Sequence, residues 1–230
     1  MNPESADGAS TNDGASILDL FEIRVLAVLA EKEALTPDAY PMSINALLNG
    51  CNQLSSRDPV MMISEGTVQD VLQRLIQKKL VAEVNQAGAR VVKYEHRMRM
   101  KWSLEQNRLA VLTILMLRGI QTAGEIRNRS GRLHEFASVA DVEACLQFLI
   151  DKYPPLVMRL ERAPGTKEPR YAHLLAGAEA LERQQLSSGS VSVSVPRGDR
   201  IDQLEQEVVN LRQQIESLTQ QFDQFKKQFD

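Results

Sequence analysis

The chain has little of what usually announces an enzyme. Its 230 residues include two cysteines, Cys51 and Cys145, too far apart to form a metal-like pair. They read as buried thiols in a reducing cytosol. Of its three histidines, His96 and His173 have no cysteine or second histidine nearby to begin a ligand set. Phosphate-loop, dinucleotide, zinc-protease, Cys-x-x-Cys and nucleophile-elbow patterns are all missing. No apolar run approaches the roughly 18 residues a membrane span needs. Aromatic residues make up only 5%, so the core is aliphatic. No basic excess announces nucleic acid either, since the net charge is −3. With no cofactor, metal or catalytic motif in view, the remaining function classes are binding functions.

The charge that is present is unevenly placed. Residues 1–16 carry three acids and no base, without the basic and apolar regions of a signal peptide, and read as a disordered leader. Residues 17–101 carry 11 bases against 10 acids, and 102–175 carry 10 against 8. Residues 176–230 carry 6 against 9. A mildly basic middle lies between acidic ends.

That middle is a repeat. Val25, Leu26, Leu29 and Thr36 recur 86 residues later as Val111, Leu112, Leu115 and Thr122. Val68, Leu72, Leu75 and Ile76 recur 74 residues later as Val142, Leu146, Leu149 and Ile150. The first copy therefore holds 12 extra residues, around 52–63. A basic-Tyr-x-His word closes each copy, at 93–96 and 170–173. Two copies at this spacing point to two small domains and not to a solenoid.

Each copy predicts the same elements in the same order. In the first, helices cover about 19–33 and 43–51, and Ser64 N-caps a third that buries Val68, Val71, Leu72, Leu75 and Ile76. Alternation then predicts strands at 80–86 and 90–97, turned at Gly88, with Leu80, Ala82 and Val84 on one side. In the second copy Ser138 caps the third helix, Leu156, Met158 and Leu160 alternate, and the Pro164-Gly165 stretch turns the hairpin. Three helices followed by a β-hairpin are the winged-helix arrangement. The fold class is mainly α with small β-hairpins (α+β): two tandem winged-helix domains, 17–101 and 102–175. The Tyr-x-His words fall on the second wing strands. Val92, Tyr94 and His96, and Tyr171, His173 and Leu175, share faces that point inward, as core residues whose polar tips find partners.

The words "TPDAYPMSINALLNGCNQLSSRDPVM" (36–61), "LRGIQTAGEIRNRSGRLHEF" (117–136) and "PGTKEPRYAHLL" (164–175) resemble the YceH-like bacterial proteins. The resemblance spans about 17–175. It implies tandem winged helices and a cytoplasmic location, and brings no catalytic residues. Among its typical polar residues are Tyr40, Ser43, Asn45, Asn52, Gln53, Arg57 and Asp58. Either these hold the 52–63 insertion against the domain or they form a binding surface.

Residues 176–200 read as a short helix and a flexible linker. In 201–230 the period changes: Ile201, Leu204, Val208, Leu211, Ile215, Leu218, Phe222, Phe225 and Phe229 are spaced alternately by 3 and 4. That is a coiled-coil seam, which makes the expected form a homodimer; an amphipathic helix folded onto its own chain is the alternative.

Two binding functions follow. A winged helix reads the DNA major groove with its third helix and touches the backbone with its wing. In the first copy the third helix offers Gln69, Gln73, Arg74, Lys78 and Lys79, and the wing region offers Arg90, Lys93, Arg97, Arg99 and Lys101. In the second copy the third helix is acidic at Asp141, Glu143 and Asp151, and the bases lie earlier, at Arg127, Arg129 and Arg132. DNA binding as a dimeric, regulator-like protein is the first expectation. A scaffold that docks another protein on the acidic helix is the second.

Overall fold

The computed structural model describes residues 17–85, 91–161 and 168–177. Among them are seven α-helices and two small antiparallel sheets, a mixed α/β architecture. The leader, the turns expected within 86–90 and 162–167, Arg90, the expected short helix and linker from 178 to 200 and the heptad seam from Ile201 to Phe229 lie outside the described residues.

Local capping chemistry sets the helix starts. Asp19 opens α1 (Leu20–Leu35) with a capping box completed by Glu22. Ser43 caps α2 (Ile44–Cys51) and Ser64 caps α3 (Glu65–Gln77). Each such cap is worth about 1 kcal/mol. The first hairpin, β1 (Val81–Val84) and β2 (Lys93–His96), leads into α4 (Met98–Trp102) and α5 (Gln106–Arg118). The two-residue strand β3 (Gln121–Thr122) precedes α6 (Ala123–Ser130), which carries a capping box of Thr122 and Glu125. A third box, Ser138 with Asp141, starts α7 (Val139–Ile150). The second hairpin is β4 (Val157–Leu160) and β5 (Arg170–His173).

The repeat is visible in the sheets. In the second copy the strand order is β3-β5-β4. In the first, Met42 bridges Tyr94 and takes the place of the third strand beside β2. The sequence reading missed this third strand in both copies, because one or two residues carry no periodicity. It also missed α4, which is five residues long.

Strict alternation fails where each hairpin begins. Leu80 and Val81 are both buried, as are Leu156 and Val157. Leu80 N–H donates to Leu75 O, and Leu156 N–H donates to Leu149 O, at the equivalent residues of the repeat. The first residue of each pair thus closes the preceding helix, and the second is the first inward strand residue. Met158, expected inward, is only half-buried.

α1 is enclosed by α2, α3 and β2 and also packs along α5. Val25 to Leu29 are wholly buried, each large apolar side chain contributing about 1.5–3 kcal/mol. The buried apolar residues of both copies form one cluster across the α1–α5 contact. Gly50 lets α2 approach α1, since a Cβ there would lie 2.6 Å from Val28 Cγ1.

Candidate nucleic-acid interface

The insertion at 52–63 is anchored by buried polar groups. Arg57 lies against the C-terminal end of α2, and its side chain is 0% exposed. Its guanidinium donates to both carboxylate oxygens of Glu31, at 3.1 and 2.6 Å, and to Gly50 O at 3.1 and 2.9 Å. It also reaches Gln53 Oε1 at 2.8 Å. Asn52 pairs with the Ile63 backbone in both directions and closes the loop at its base. Arg24, also buried, donates to Cys51 O and Pro59 O. Burial, and after it the nearby Arg57 charge, lowers the Arg24 pKa. Burial pushes the Cys51 thiol up to about 12, so it is held as an unreactive thiol. The loop reaches the second copy: Asp58 N–H donates to Leu117 O and Arg118 donates to Ser56 Oγ.

The family-typical polar residues therefore divide. Arg57, Asn52 and Gln53 anchor the insertion, Asp58 joins it to α5 through its backbone, and Ser43 is a helix cap. Asn45 is exposed on α2. Sequence reasoning missed Arg24 and Glu31. Their signal was a charge of each sign, seven residues apart, at the two ends of the apolar run 25–30.

Both tyrosines of the Tyr-x-His words, Tyr94 and Tyr171, are buried, as is His96; His173 is half-buried, and Val92, expected on the same inward face, is exposed. Tyr40 Oη accepts the His96 backbone N–H at 2.7 Å. His96 Nδ1 accepts from Met98 N–H, which leaves Nε2–H to donate to Glu33 Oε2 at 3.1 Å. Arg99 donates to the same oxygen at 2.9 Å and also to Gln106. The His96 bond, together with that of Arg99, outweighs burial and holds the Glu33 carboxyl at about 2. His173 Nδ1, in contrast, is buried without a partner, and burial lowers this ring to about 4.

The candidate DNA-contacting cations are sorted in the same way. On α3, Gln69 and Gln73 are exposed beside Asp70 and Gln77. Arg74 instead binds Asp19 at 2.7 Å and Glu22 at 3.4 Å, and Lys78 binds Glu22 at 2.7 Å. Both strap the end of α3 to the start of α1, and their charge is balanced there. Arg99 is committed to Glu33, and Lys93 is half-buried on β2.

Lys79, Arg97 and Lys101 are brought together. From the end of α3, the end of β2 and α4, they line one concavity of about 400 Å³ floored by Ile76, Val81, Ala82 and Met100. Arg97 also pairs with Glu95 at 2.7 Å. Among the described residues neither Lys79 nor Lys101 has an ion-pair partner.

In the second copy Asp141, Glu143 and Asp151 are exposed on and after α7. Arg127 donates to Phe136 O and Ala137 O and holds the loop before α7. Arg129 donates to Gln121 Oε1 and lies 3.8 Å from Glu125. Arg132 is exposed. Arg108 and Lys152 cover the Phe148 ring, 3.5 and 4.9 Å from its centroid. Among the described residues no group of three or more His, Cys, Asp or Glu is placed to hold a metal. None of the described helices is long and apolar enough to cross a membrane.

These features define a chain of two related helix–hairpin units that share one apolar core and carry a small cationic concavity on the first unit. Residues 18–166 match the family described as "Protein of unknown function, DUF480". The chain is 67% identical over 215 residues to the UPF0502 protein HEAR1280 of Herminiimonas arsenicoxydans, covering 90% of this chain and 91% of that one. It is 72% identical over 200 residues to a UPF0502 protein of Janthinobacterium sp. (strain Marseille), covering 87% and 86%. It is 44% identical over 208 residues to the UPF0502 protein Shewmr4_1554 of Shewanella sp. (strain MR-4), covering 84% and 94%. The chain belongs to this UPF0502 (DUF480) family of bacterial proteins, in agreement with its YceH-like words.

Proposed function

We propose that the chain is a non-enzymatic, cytoplasmic tandem winged-helix protein that binds DNA as a dimer. The backbone contact falls on the first copy, at the base of its wing. The observation that carries this reading is the convergence of Lys79, Arg97 and Lys101 from three elements. A winged helix meets phosphates at that place. Arg74 and Lys78, which sequence position alone would assign to DNA, contribute α3–α1 straps instead. The outward side of α3 keeps Gln69 and Gln73, whose amides suit the N6 and N7 edge of adenine. Phosphate contact thus comes from the wing base and base contact from the glutamines.

The acidic surface of α7 favours a second reading, a scaffold that docks a basic protein partner there. The first reading requires DNA binding that falls steeply with salt, because phosphate contacts release counterions, whereas the second requires no DNA binding. An electrophoretic shift with mixed genomic fragments at two salt concentrations tests the proposal. A shift present at low salt and lost at high salt supports DNA binding. No shift at either concentration leaves the scaffold reading in its place.

A further inference from the structure

The floor of the cationic concavity has no use in a DNA contact. A phosphodiester backbone is polar and gains nothing from Ile76, Val81, Ala82 and Met100, yet these side chains line the space between Lys79, Arg97 and Lys101. Met100 is 72% exposed there. A volume of about 400 Å³ lies within the range of about 300–1,000 Å³ common for small-molecule sites.

A second feature singles out Lys79. It stands just past the end of α3 with φ 58°, in the left-handed region. Lys79 N–H closes onto Ile76 O and Leu80 N–H onto Leu75 O, the turn in which glycine is the usual residue. A lysine here accepts backbone strain that glycine would avoid. The folding of the turn does not require an amine, whereas the concavity uses one. Arg97 is already shared with Glu95, so Lys79 and Lys101 supply the unbalanced charge.

We infer that this concavity binds a small organic anion with an apolar body, an aliphatic carboxylate of medium chain length. The carboxylate lies between the Lys79 and Lys101 ammonium groups, and the chain lies on Ile76, Val81, Ala82 and Met100. Because the same cations are assigned to DNA phosphates, the ligand competes with DNA; that competition, but not the binding itself, rests on the DNA reading.

The test uses the full chain and octanoate as the probe. Trp102, the single tryptophan, is two residues from Met100 and gives a fluorescence readout, with calorimetry alongside. Octanoate is expected to bind saturably, and 1-octanol and butyrate more weakly. Lys79→Gly and Lys101→Ala should each raise Kd by about 3- to 10-fold. Lys79→Gly should also melt no lower than the parent, so its loss of binding is not a loss of fold. Absence of saturable octanoate binding overturns the proposal. So does octanol binding as tightly as octanoate, or a Lys79→Gly Kd equal to the parent's. Octanoate that binds but leaves a DNA complex intact overturns the competition alone. A protein that binds octanoate and no DNA keeps the site and removes the DNA reading.

Discussion

Replacing Arg57 tests how the insertion is held. Its side chain is 0% exposed and that of Glu31 9%, so Arg57→Ala leaves a carboxylate almost out of water. It also removes two hydrogen bonds from Gly50 O and one from Gln53. Breaking a buried pair by removing one partner costs about 3–5 kcal/mol. Lys32 Nζ, 3.4 Å from Glu31 Oε2, offsets part of this and favours the lower end. For a domain of this size the melting temperature should fall by roughly 6–20 °C. Arg57→Met with Glu31→Gln removes both charges at similar volume and should recover most of the loss. A double-mutant cycle by urea denaturation should therefore return a coupling of about 2 kcal/mol or more. An Arg57→Ala protein within about 1 kcal/mol of the parent would refute the reasoning. The anchor would then lie elsewhere, and Arg24 would be the next residue to change.

Three further outcomes are expected. Tyr40→Phe strands the His96 backbone N–H and should cost about 1–3 kcal/mol by denaturation; a neutral result would mean that water replaces the phenol. The folded pKa of His173, about 4, lies below the ordinary 6.5. The unfolded chain thus takes up its proton first, and stability present above pH 6.5 is lost as pH falls towards 4. Glu33, at about 2 against 4.5, adds a further loss between those two values, so His173→Phe should flatten only the upper part of the melting-temperature profile. An unchanged slope between pH 6.5 and 4 would contradict the assignment to His173. Deleting 199–230 should lower the oligomeric state measured by light scattering if the heptad seam forms the expected dimer, and an unchanged number of chains per particle would show that the seam packs within its own chain or that the winged domains dimerise.

Periodicity and caps made the helices legible. Ser64 and Ser138 are the caps their positions implied, and Tyr94, His96 and Tyr171 are inward. The short third strands and α4 were not legible, because so few residues contain no repeat to read. The candidate site was half legible. Charge density along the chain drew attention to 90–101, but density does not say which cations are already paired. Arg74 and Lys78 find Asp19 and Glu22, more than 50 residues away, and Arg99 finds Glu33, 66 away. Such long-range pairing consumed a large share of the expected phosphate contacts. Lys79 joined Arg97 and Lys101 only once the hairpin returned beside α3.

The central claim is that Lys79, Arg97 and Lys101 are phosphate contacts. The most direct measurement is the slope of log K against log salt concentration for a duplex, read by fluorescence anisotropy, for the parent and for Lys79→Ala/Arg97→Ala/Lys101→Ala. Each phosphate contact contributes a slope of about −0.9. The account predicts that the triple variant loses about 2.7 units of slope while the relative preference among duplex sequences is kept. Salt-insensitive binding by the parent, or equal slopes for the two proteins, would contradict it.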